Sequence, residues 1–172
     1  MSRITKAMRQ KEFETIQYNL GEIGITAEVV NTDEFAEQCM LAVILPTSDE
    51  DLEADELPEN PHIAFGYLNH LDEGDSVFTK YLMFYTKIQQ NIDGVNKLQM
   101  LELVNKMNRT NSYGHFFYSK EANDESEMIQ YKVMIYADSE QLFSEAVVGE
   151  ALIEMGFAYE QMEEAILALK NN

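Results

Sequence analysis

An apolar-periodic helix, a cluster of turn formers and a strand meet within 101-LELVNKMNRTNSYGHFFYSK-120. Upstream, Val95, Leu98, Leu101 and Met107 recur at helical intervals, which predicts a helix over 91–108 with Asp93 as its N-cap. Asn108 suits a left-handed residue at the helix end, and "NRTNSYG" then reads as a turn into the strand "HFFYS" (115–119). Asn105, Asn108 and Asn111 fit this junction because a short amide satisfies free backbone groups. Arg109 and His115 are the residues there capable of acid–base or anion chemistry, and nothing pairs them with a nucleophile or carboxylate. The junction therefore reads as architecture and not as an active site.

Working outward, residues 3–20 space Ile4, Ala7, Met8, Ile16 and Leu20 near a helical period, ended by Gly21 or Gly24. "ITAEVV" (25–30) alternates as a strand, and "NTDEFAEQ" follows as a turn or short helical bridge. "CMLAVILP" (39–46) is apolar on both faces, like a central strand closed by Pro46. Strands are expected at 62–69 and 76–88, the end of the second already verging on helix, and at 128–137, where Ile129, Tyr131, Val133 and Ile135 alternate with more polar neighbours. "EANDESE" joins the last two strands as a hairpin loop. Asp138 or Ser139 is expected to cap a final helix of about thirty residues, bent or divided at Gly149 or Gly156. Short connections between neighbouring strands imply an α+β fold. An antiparallel sheet of five to six strands is flanked by an N-terminal, a middle and a long C-terminal helix. The 172 residues suit a single domain, with an acidic loop at about 47–60 that carries seven acids between Asp49 and Glu59.

The net charge of −19 is uneven: residues 12–79 hold 17 acids and no Lys or Arg, whereas residues 80–109 hold five bases against two acids. Such a field repels nucleic-acid phosphates and anionic lipid, unless the acidic loop itself mimics phosphate for a basic partner. No apolar run approaches the ~20 residues of a membrane-spanning helix, and the basic N-terminus lacks the apolar core of a signal peptide. Cys39 is single and sits among apolar residues, so the thiol reads as structural and a reducing cytoplasm as the compartment.

The chain lacks the glycine-rich phosphate loops and the GxSxG elbow. His62, His70 and His115 fall in none of the usual zinc spacings, and the acidic loop lacks the glycine and terminal glutamate of an EF-hand. No catalytic residue, metal or cofactor is expected. The adaptable apolar positions of the last helix, Met155, Phe157, Tyr159, Met162 and Ile166, are candidates either for the core or for a partner-binding face.

With Val104-Asn105-Lys106-Met107-Asn108 entering the strand at His115–Ser119, the chain resembles the YbjN-like family of small bacterial proteins. In that family a helix bearing a V-N-x-x-N motif precedes a turn and a strand, and the likeness extends to "NLGEIGITAEV" and the last helix. The resemblance implies a twisted antiparallel sheet flanked by helices, like that of type III secretion chaperones and often dimeric. It also implies a non-enzymatic role, since the family is described as candidate sensory-transduction regulators and offers no catalytic residues. The function expected is a cytoplasmic protein-interaction module, chaperone-like or regulatory, binding a protein client and forming a homodimer. It would bind neither nucleic acid nor membrane. The alternative is an enzyme or small-molecule binder using sheet-face residues such as His62, His70, Tyr81 and Tyr85.

Overall fold

The computed structural model describes residues 5–31, 39–47, 60–73, 76–120 and 127–171. The acidic run 48–59, the bridge 32–38 and the hairpin loop 121–126 lie outside the described residues. Nine elements follow in chain order: α1 (Lys6–Glu22), β1 (Ala27–Asn31), β2 (Cys39–Ile44), β3 (Ile63–Glu73), β4 (Ser76–Lys87), α2 (Lys97–Thr110), β5 (Gly114–Lys120), β6 (Glu127–Asp138) and α3 (Glu145–Lys170). All strands join one antiparallel sheet in the order β1, β2, β3, β4, β6, β5. The α+β architecture is as expected. The passage through α2 carries the chain past the place of β6 to the outer edge, and β6 then returns to pair with β4.

Strand alternation assigns each residue to a face. Leu41, Val43, Ala64, Leu68, Leu82, Phe84, Phe116, Tyr131, Val133 and Ile135 lie on one face and are buried. Onto this face α1 packs Phe13, Ile16 and Leu20, α2 packs Met100 and Val104, and α3 packs Leu152, Met155, Tyr159, Met162 and Ile166. All belong to one hydrophobic cluster.

Several helix ends differ from expectation. Asn96, not Asp93, caps α2, its side-chain oxygen accepting the Leu98 N–H at 2.8 Å. Gly94, at φ 81°, keeps the chain in a turn past Asp93 and delays the helix. The buried stripe of α2 is consequently Met100 and Val104, while Leu98 and Leu101 face outward. Asn108 stays helical and the C-cap is Asn111, in extended conformation. At the other end of the chain, β6 continues to Asp138 and a turn follows, so α3 starts after Ser144 and spans 26 residues. The strand β4 is extended throughout, with no helical end.

Two glycines have defined tasks. Gly24, at φ 79°, ends α1 in a Schellman arrangement: Ile25 N–H reaches the Leu20 carbonyl at 2.9 Å and Gly24 N–H the Gly21 carbonyl at 3.1 Å. Gly156 does not divide α3, which runs unbroken from Glu145 to Lys170. A Cβ there would collide with the Pro46 carbonyl at the end of β2, so this glycine lets the helix lie close on the sheet. Gly156→Ala is expected to destabilise the protein by about 2–3 kcal/mol in urea unfolding, through overpacking against backbone. Gly21→Ala, on an open helical surface with nothing within 4 Å, should instead stabilise by up to about 1 kcal/mol.

Candidate functional site: the bare sheet face and the two edges

The helix–strand junction is held by its asparagines. Asn108 lies beside edge strand β5 and imitates a neighbouring strand: its Oδ1 accepts the Phe116 N–H at 2.7 Å and its Nδ2 donates to the Phe116 carbonyl at 2.9 Å. Asn111 Oδ1 accepts from the N–H groups of Tyr113 and Gly114, each at 3.1 Å, and from the Tyr131 hydroxyl at 2.7 Å. Burial pushes the Tyr131 phenol up to about 12, although its bond to Asn111 opposes the shift. Arg109 and His115 are exposed. The junction therefore closes one half of a sheet edge and leaves no converging catalytic groups.

The five α3 candidates separate sharply. Met155, Tyr159, Met162 and Ile166 are 0% exposed and belong to the core, so their surfaces are taken up by the sheet. Phe157 is 44% exposed and borders a cavity of 380 Å³ with Tyr113, Met107 and Glu154. Tyr159 also fixes the sheet end. Its ring stacks on His62 with centroids 3.9 Å apart, and its hydroxyl accepts the Gln89 N–H at 2.8 Å. Burial raises its pKa above the ordinary phenol value.

The four residues of the alternative site are not brought together. Register pairs His70 with Lys80 on the helix-covered face, and His62 lies under α3, whereas Tyr81 and Tyr85 occupy the opposite face. Lys80 is buried, ion-paired to Glu12 of α1 and placed over the Phe143 ring at 5.1 Å. This pair ties α1 to β4 and presents no open position to a ligand. Among the described residues, no group of three His, Cys, Asp or Glu could hold a metal ion.

The informative surface is the face of the sheet that no helix among the described residues covers. Alternation and register lay out its rows: Met40, Tyr67, Met83 and Met134; then Ala42, Phe65, Tyr85 and Lys132; then Ile44, Ile63, Lys87 and Gln130. Tyr81 and Tyr136 form a further row, their rings 6.1 Å apart. Tyr67 and Tyr85 stack at 5.5 Å with their hydroxyls 3.3 Å apart, and burial together with that bond holds the Tyr67 phenol well above its usual pKa. Tyr136 is 58% exposed and Ile63 37%. A cavity of 590 Å³ at one end is lined by Ile63, Phe65, Tyr85, Lys87, Lys120 and Met128, among others, and by no carboxylate among the described residues. Sequence reasoning named Tyr81 and Tyr85 of this face but not its apolar, methionine-rich character. The available signal was that 63–69 and 81–87 carry aromatic and methionine residues at the positions where a solvated face would be polar.

Asn108→Ala removes both bonds to Phe116 and should cost about 2–3 kcal/mol in chemical denaturation, because a backbone donor and acceptor lose their partner together. Asn105→Ala, one turn away and exposed, should stay within about 0.5 kcal/mol of the parent.

No family model and no curated protein sequence matches the chain. Among solved structures, it is similar to the crystal structure of YbjN, a candidate transcription regulator from E. coli, with a TM-score of 0.43 and 11% sequence identity over 88% of this chain and 91% of that one. No helix among the described residues is long and apolar enough to cross a membrane.

Proposed function

We propose that this chain is a non-enzymatic protein-interaction module, chaperone-like or regulatory in role, that receives an amphipathic helix of a partner on the bare face of its sheet. The observation that carries this reading is one-sided coverage. The three helices of the described residues pack on one face, while the other holds contiguous tyrosine, phenylalanine and methionine side chains. A sheet with an apolar second face is satisfied by a further layer, and a helix with one apolar stripe is the usual means of providing it. Methionine suits such a surface because its flexible, polarizable side chain adapts to the partner.

Charge favours the same occupant. The chain carries −19, yet alternation places on this face Lys87 and Lys132 in central strands, with Glu28 on the β1 edge and Asp138 at the end of β6. Carboxylates bordering the apolar stripe of an incoming helix would meet those two lysines. The expected homodimer is a competing occupant, two copies meeting face to face.

Panning a library of helical peptides on the immobilised protein tests the reading. Selected peptides should share an apolar stripe with flanking acids. Tyr85→Ala and Tyr136→Ala should each weaken them about tenfold or more, as removal of central aromatic anchors does. Phe157→Ala, on the helix side, should leave affinity unchanged. The reading fails if Phe157→Ala is the substitution that abolishes binding, or if light scattering finds a dimer that the two tyrosine variants dissociate.

A further inference from the structure

The two edges of the sheet are treated differently. On β5, the outward backbone groups are those of even-numbered residues, and the first two are occupied: Gly114 N–H by Asn111, and the Phe116 N–H and carbonyl by Asn108. On β1 the ladder direction follows from the Ile44 N–H reaching the Thr26 carbonyl at 2.9 Å. Even-numbered residues of β1 therefore bond to β2, and Ala27, Val29 and Asn31 turn their N–H and C=O groups away from the sheet. Among the described residues these outward groups have no partner. An edge strand of this kind is a template for one more strand.

Beside this edge runs a groove of 620 Å³ between α1 and β1, lined by Glu14, Tyr18, Glu22, Ile25 and Ala27, among others. Tyr18 is 68% exposed. No Lys or Arg lines the groove, and none occurs anywhere in residues 12–79. Glu28 adds a carboxylate on the other face of the strand.

We infer that the free edge of β1 accepts a basic, extended protein segment as a seventh strand. Main-chain bonds to Ala27, Val29 and Asn31 supply the register, and alternate side chains of the incoming strand fall into the groove and onto the bare face. Lysine or arginine side chains on the groove side meet Glu14 and Glu22, and one cation lies over the Tyr18 ring. A second copy of this chain is a poor occupant, because pairing β1 with itself brings two acidic edges together. The groove lies on the helix-covered side of the sheet, opposite the apolar, lysine-bearing face that receives the partner helix.

Val29 gives a selective test. Its N–H points outward, so Val29→Pro deletes a docking bond and leaves the ladder to β2 intact, the one setting in which a strand tolerates proline. The probe is a labelled peptide of about nine alternating Lys and Val residues, compared with its Glu–Val counterpart in anisotropy titrations. The Lys–Val peptide should bind at least about tenfold tighter than the Glu–Val one, and lose about tenfold between roughly 0.05 and 0.5 M salt. Hydrogen exchange should slow at Ala27, Val29 and Asn31, and Val29→Pro should reduce affinity about tenfold with the melting temperature unchanged. Should that variant unfold, Tyr18→Ala combined with Glu22→Lys on the helix surface decides in its place, with the same loss expected. Equal binding of the two peptides, protection on β5 or on the bare face, or undiminished binding by the variants would each overturn the inference. So would a dimer that Val29→Pro dissociates.

Discussion

The packing of one α3 stripe, Met155, Tyr159, Met162 and Ile166, into one side of a six-stranded sheet is the contact on which the rest of the molecule depends. Each of these side chains is fully buried, and burial of each contributes about 1.5–3 kcal/mol relative to exposure. The closeness of the contact comes from Gly156, where the helix backbone meets Pro46, and from Tyr159, which stacks on His62 and accepts the Gln89 N–H. With α3 committed to this side, α1 and α2 fill the flanks of the same layer. No element among the described residues then remains for the opposite face.

Polar groups in this layer serve position before chemistry. Lys80 and Glu12 join α1 to β4, Asn108 locks α2 to β5, and Asn111 accepts from the Gly114 N–H and the buried Tyr131 hydroxyl. Each satisfies a donor or acceptor that would otherwise be costly to bury. These bonds also decide which edge stays open. The asparagines occupy the start of β5, and nothing comparable among the described residues guards β1. The same sheet thus has an apolar face with lysines, a partly closed edge and an acidic open edge.

The element order and the α+β class were legible because strand alternation and helical spacing are local properties of the sequence. Helix ends were less so. Asp93 and Asn96 are both good caps, and only Gly94 in a left-handed turn decides between them. Leu98 and Leu101 share a period with the residues around Met100 and Val104, so spacing alone could not say which stripe would meet the sheet. Asn108 read correctly as a structural residue but with the wrong task, since its partner Phe116 lies across a turn and is invisible to local rules. The α3 candidates mixed core with surface: Tyr159, four residues after Met155, lies on the buried stripe, whereas Phe157, two residues after Met155, points the other way and is 44% exposed. The bare face was foreshadowed by strands apolar on both sides.

Among the described residues, one side of the sheet is covered by helices and the other is bare. The methionines report on both sides, since thioether oxidation follows exposure. Mild peroxide treatment of the free protein, followed by peptide mass spectrometry, measures each site. The account predicts that Met83 and Met134 oxidise well before Met155 and Met162, with Met100 protected like the latter pair. Equal protection of Met83, Met134, Met155 and Met162 would mean that the second face is already covered, and would contradict it.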